Sequence, residues 1–178
     1  MANLHNFPVP LCSIAEQVYL SGLDKGYGSD DDSGLVRLWT SQPVASIQSA
    51  FSEEDKKAKL DLVSNLLIGI HLCAAAESMS FAKHVGIPLP QFYKLAIDAA
   101  GGSAMFKEIG PQMIDILQGK DETDSKILES YLAGLKGAVE EARNIKCPLY
   151  LGNGALNLLL QTGKNLNFSG LLGLYNVQ

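Results

Sequence analysis

The chain has 178 residues, 47% of them apolar and 19% charged, with a formal net charge of −5. That length and composition suit one compact domain with a real core and exclude a disordered chain. The acidic balance argues against nucleic-acid binding, and the only tight cationic group, Lys56, Lys57 and Lys59, reads as a solvated helix face.

In chain order, residues 1–8 read as an extended lead-in, and Pro8 and Pro10 set the start of a helix. Leu11, Ile14, Ala15, Val18 and Leu23 follow helical spacing, which predicts a helix over 11–25, stopped by Gly26 and Gly28. The run from Ser29 through Asp30, Asp31 and Asp32 to Ser33 is an acidic cap for a short helix over 33–39. Gln42-Pro43 breaks that helix, and 44–52 form a connector.

Ser52, Glu53, Glu54 and Asp55 supply an acidic start for a long helix over 53–84, on the order of 45 Å. Gly86 ends it. Further helices are predicted over 90–100, 104–117, 125–145, 149–162 and 169–175, with a Gly101-Gly102-Ser103 break and a charged loop over 119–124. No segment reads as a strand. The expected fold is all-α, a helical bundle around one long central helix. That helix carries Asp61, Ser64, Asn65, His71, Glu77 and Ser78 among apolar residues. Buried polar groups need partners, either structural or from a ligand.

Cys12, Cys73 and Cys147 are widely spaced and form no CxxC pair. Neither a zinc site nor a disulfide framework is indicated, and each is expected to pack as a small apolar side chain in a reducing compartment. The N-terminus has no signal-peptide pattern, and the apolar run over 66–76 is too short to span a bilayer and contains His71. The expectation is a soluble cytoplasmic protein with no membrane partner.

Two segments repeat. Residues 8–39 contain PVPLCSIAEQVYL and then DSGLVRLW; residues 146–175 contain KCPLYLGNGALNLLL and then FSGLLGLY. Each opens with Pro-Leu, carries an alanine five or seven residues after that proline (Ala15, Ala155), resumes at Ser-Gly-Leu and closes on an aromatic, Trp39 or Tyr175. Residues 1–42 read as the tail of one helical unit and 53–178 as a complete second unit. Interface or core packing is the expected role of Tyr19, Trp39, Tyr150 and Tyr175.

At these residues the chain resembles the C-terminal helical domain of the β-hydroxyacid dehydrogenases, the 6-phosphogluconate, 3-hydroxyisobutyrate and L-threonate dehydrogenase superfamily. The resemblance rests on LLIGIHLCAAAESMSFAKHVGI over 66–87, on Ala99-Ala100-Gly101-Gly102-Ser103 with Phe106-Lys107, and on AVEEARNIKCPLYL over 138–151. It implies a domain that forms dimers and lends its long helix to a substrate cleft completed by a neighbouring subunit, and the duplicated tail would supply a similar contact within one chain. It also implies a partner Rossmann domain, yet nothing here reads as strand, GxGxxG turn and helix. The family's catalytic lysine and its asparagine align with Asp61 and Ser64, and a later Lys-Asp pair with Ala133-Gly134. No NAD(P) or metal cofactor is therefore expected, and no dehydrogenase reaction by the chain alone.

Asp61, Ser64, Asn65 and Ile68 share one helix face and would floor the cleft. In the functional reading Asp61 is an acid/base or cation-binding group; otherwise these are satisfied surface groups. His71 is a candidate acid/base or a core histidine. Ser64 and His71, seven residues and roughly 10 Å apart along the axis, are excluded as a dyad. Gly101, Gly102 and Ser103 open a helix whose amides would bind an anionic substrate, or merely cap a turn, with Phe106 behind them.

Two functional expectations follow. The first is a descendant that binds or transforms a small organic molecule without redox chemistry, as a lyase, isomerase or cyclase, acting as a homodimer. The alternative is a detached C-terminal part of an NAD-dependent hydroxyacid dehydrogenase, or a structural dimerisation module.

Overall fold

The computed structural model describes residues 2–40, 52–99, 101–120 and 127–175. Every element among them is helical: a 3-10 turn at Ala2–His5, α1 Pro10–Asp24, a 3-10 helix at Asp32–Leu38, α2 Glu53–His84, α3 Leu89–Ile97, α4 Ala104–Leu117, α5 Ile127–Asn144, α6 Tyr150–Gln161 and α7 Phe168–Gly173. The all-α bundle expected from the sequence is the observed fold. The break at Gln42-Pro43, the connector and most of the charged loop lie outside the described residues.

Helix α2 is the centre, and all six other α-helices pack against it. Ser52 caps it by accepting from the Asp55 amide, three acids occupy its first turn, and Lys83 and His84 its last. This agrees with the helix macrodipole at both ends. The core is formed by Leu72, Cys73, Ala76 and Met79 of α2 with Met113, Leu128, Leu135, Leu159, Phe168 and Leu171. Gly69 lets α5 approach, since a Cβ there would lie 2.7 Å from a Leu135 methyl. By length and composition α2 would also be apolar enough to cross a membrane. Here its apolar half is the axis of the bundle.

Helix α4 is completed at both ends by groups from other helices. Pro111, inside α4, has no amide to donate to the Lys107 carbonyl. The Tyr93 hydroxyl of α3 donates to that carbonyl instead, at 2.7 Å, and ties α3 to α4. At the other end of α4, Lys83 donates to the Leu117 carbonyl at 2.7 Å.

Two sequence expectations, the extended lead-in and the packing of the cysteines, are corrected, and the acidic cap is observed. Residues 2–5 are not extended but form a 3-10 turn, closed by Phe7 donating to the Ala2 carbonyl. The first terminal helix takes its cap from the expected acidic run, at Asp31, and the second from Asn167, whose side chains accept from the Ser33 and Gly170 amides. Of the cysteines only Cys73 is buried; Cys12 and Cys147 are exposed.

Candidate functional site

Helix α2 carries most of the predicted site residues, and its two halves treat them differently. No residue over 53–68 is fully buried, whereas nine between Gly69 and Ala82 are. Asp61 and Ser64 are exposed. Asn65 is half-buried and packs on Gly134 of α5, where a Cβ would sit 2.8 Å from its amide. Ile68 packs against the core. By the helical repeat, Leu60, Ser64, Leu67 and His71 form one stripe, and Leu60 (65% exposed) and Leu67 (47%) are bare of cover.

The second group lies between α3 and α4. Gly101 is exposed and open to solvent, while Gly102 touches backbone: a Cβ there would lie 2.5 Å from the Ile97 carbonyl oxygen. The Ser103 hydroxyl accepts from the Phe106 amide at 3.0 Å, so it caps α4. Phe106 is buried and packs edge-on to Tyr93.

His71 is the predicted residue that lines a distinct groove. A cavity of about 470 Å³ runs between α1, α2 and the start of α3, with Cys12, His71, Glu77 and Ser78 among walls such as Phe81 and Phe92. A second groove of about 540 Å³ lies on the other flank of α1, between Trp39 and Tyr150, and shares Ala15, Ile70 and Leu151 with the first. Neither takes in Asp61, Ser64, Asn65 or residues 101–106. Trp39 and Tyr150 are in ring contact at 6.4 Å across its mouth.

Glu77 is the polar group that sequence reasoning left without a partner. It is 2% exposed, and its two carboxylate oxygens accept from the Leu11 and Cys12 amides at 2.9 and 3.0 Å. Helix α1 has Val9 at its N-cap and no side-chain cap of its own. The cap therefore comes from α2, across 66 residues of sequence. A charge-assisted pair of this kind satisfies both the buried carboxylate and the free helix amides.

The thiols and phenol around Glu77 respond to it. Although the residue as a whole is exposed, partial burial against the groove wall, then a hydrogen bond to Glu77 and its charge, pushes the Cys12 thiol up to about 11. Burial and the charge of Glu77 push Cys73 up to about 12. The Tyr175 hydroxyl, buried and without a partner among the described residues, is raised by burial first, then by the charge of Glu77 and by Cys73 and Cys12. All three stay protonated near neutral pH, so none is an activated nucleophile. Among the described residues no group of three or more His, Cys, Asp or Glu side chains is arranged to hold a metal.

Fold, long helix and Gly-Gly-Ser turn together define a hydroxyacid dehydrogenase-type helical domain. Residues 57–171 match the family described as NAD-binding of NADP-dependent 3-hydroxyisobutyrate dehydrogenase, and the chain belongs to that family. The L-threonate dehydrogenase of Haemophilus influenzae is 31% identical over 134 residues, covering 75% of this chain and 43% of the relative. That of Escherichia coli K12 is 33% identical over 97 residues, 54% of this chain and 31% of the relative. The crystal structure of a 3-hydroxyisobutyrate dehydrogenase from Salmonella typhimurium superposes with a TM-score of 0.55 at 26% identity, over 66% of this chain and 41% of that one. The chain thus spans less than half the length of the relatives it matches.

The family implies a nicotinamide dinucleotide. Asp61, where the family resemblance expects a lysine, is exposed and lines neither groove.

Proposed function

We propose that this chain acts as the helical portion of a hydroxyacid dehydrogenase-type assembly, with the nucleotide-binding portion supplied by a separate domain. The observation that carries this reading is the bare first half of α2. Leu60, Val63 and Leu67 are each about half exposed or more, on the half of the helix that bears the cleft positions. An apolar stripe of this kind on a central helix suits a docked domain.

In this reading α2 and the Gly-Gly-Ser turn form one wall of a cleft for a small hydroxy acid. Asp61 and Ser64 stand at the acid/base and hydroxyl-orienting positions, and neither reproduces what a lysine and an asparagine would do there. A cation-donating group is lost and an anion is gained, so the chain supplies architecture rather than proton transfer. The relatives are dehydrogenases, and none of them favours the lyase, isomerase or cyclase reading.

The test is an NAD(P)-dependent oxidation assay with L-threonate and 3-hydroxyisobutyrate. The chain alone is expected to give no turnover. The variant Asp61→Lys/Ser64→Asn, mixed with a separately produced nucleotide-binding portion of an L-threonate dehydrogenase, is expected to give turnover well above either component. Oxidation of a hydroxy acid by the unmodified chain alone contradicts the proposal.

A further inference from the structure

The second half of α2 is wrapped by other helices, yet one strip of it is not. Ala74 is exposed in the middle of that strip, with His71 half-buried on one side and Ser78 and Phe81 half-buried on the other. At the helical repeat these four positions share a face. They line the groove of about 470 Å³ between α1, α2 and the start of α3, with Ala74 as its small floor residue. That volume is in the range of small-molecule sites. The α1 side of the groove, Val9, Leu11, Cys12 and Ala15, lies outside the family-matched stretch over 57–171.

The polar groups of the groove are not equivalent. Glu77 is 2% exposed and already accepts from the Leu11 and Cys12 amides and from the Cys12 thiol. The Ser78 hydroxyl donates to the Ala75 carbonyl at 3.1 Å. The His71 ring has no hydrogen bond, ion pair or ring contact with any described residue. A half-buried imidazole among apolar walls calls for a partner from outside the chain. Beyond it the groove continues over Ala74 to Phe81, Ile87 and Phe92. From His71 to Phe81 is ten residues, about 15 Å along the axis.

We propose that this groove is a binding site for a medium-chain alkyl carboxylic acid, its carboxylate accepting from His71 and its chain lying over Ala74 toward Phe81 and Phe92. Charge fixes the orientation. The Glu77 carboxylate is six residues and about 9 Å from His71 along the axis, and it repels a second carboxylate, so the head group belongs at the His71 end. Each methylene laid on the apolar walls adds to affinity, while the head group sets direction and selects an acid over an amine. This inference is independent of the dehydrogenase-assembly reading, which concerns the other half of α2.

The test is calorimetric titration of the full chain with octanoate, which is expected to show saturable one-to-one binding, whereas acetate shows none. His71→Ala is expected to weaken octanoate at least about tenfold and octanol much less, because the donor to a charged acceptor is lost. Ala74→Phe, at an exposed position, fills the floor and is expected to abolish binding. As an independent readout, Ile87→Trp puts a fluorophore on the rim, and its emission is expected to move to shorter wavelength as octanoate is added. No saturable binding of octanoate, equal losses of octanoate and octanol in His71→Ala, an affinity unchanged in Ala74→Phe, or a silent Ile87→Trp overturns the proposal. So does tighter binding of octylamine than of octanoate, which would make Glu77 the recognition group. A mass that falls twofold in Ala74→Phe by sedimentation overturns it as well, by making the groove a contact between copies.

Discussion

The two halves of α2 share one continuous helix, yet they differ in everything that packing decides. The half from Gly69 to Ala82 is wrapped by neighbouring helices and carries nine buried residues, Glu77 among them. Over 53–68 no residue is fully buried, and apolar side chains stand in solvent beside Asp61 and Ser64. Helix formation requires only local consistency, whereas burial requires a partner surface. The difference marks where this chain is self-sufficient and where it presents a surface.

Substitutions can break or sharpen that contrast. Met79→Ala in the buried half is expected to cost about 3 kcal/mol in denaturant unfolding, since its side chain is fully enclosed. Glu77→Ala should cost about 2 kcal/mol, with the loss of amide-exchange protection concentrated in α1, because the Leu11 and Cys12 amides lose their acceptor. Tyr93→Phe should cost about 1 kcal/mol by leaving the Lys107 carbonyl beside Pro111 without its donor. In the exposed half, Asp61→Ala and Ser64→Ala should each stay within about 0.5 kcal/mol of the parent. A large cost at Asp61 would mean that this half is covered after all.

The pH dependence centres on the thiols around Glu77. Cys12 and Cys73 are pushed up to about 11 and about 12, above the ordinary thiol value of 9.0. The folded state therefore holds these protons more tightly than the unfolded chain. Their contribution to stability is fully present below about pH 9 and is lost as pH rises through 11 and 12. Unfolding midpoints followed from pH 8 to 11 should fall, and Cys12→Ser should flatten the lower part of that fall.

Most of the helical framework was legible in the sequence because its signals are local. The span Glu53–His84 follows from Ser52, the acids after it and Gly86, and Ala104–Leu117 from Ser103. What was not legible depends on contacts distant in sequence. Glu77 looked like a polar residue in need of a partner, and its partners are amides 65 and 66 residues away. The one local hint was that Pro10-Leu11 opens a helix with no Ser, Thr, Asp or Asn in front of it. The cleft positions read from the family resemblance gave places along α2, not what covers them. Asn65 faces Gly134 and Phe106 lies in the core, while Asp61 and Ser64 face solvent. The repeat was visible as text, but the meeting of Ile14 with Gly154, where a Cβ would lie 2.5 Å from the Ile14 Cδ1 atom, appears only when the chain is folded.

The central claim is that the bare first half of α2 receives a nucleotide-binding domain. Hydrogen exchange of the full chain, with and without a separately produced nucleotide-binding portion of the Haemophilus influenzae L-threonate dehydrogenase, tests it directly. The prediction is added protection confined to residues 57–68 and the turn over 101–103, with the half from Gly69 to Ala82 unchanged. Unchanged exchange over 57–68, at concentrations where the two proteins are both folded and in excess, would contradict it.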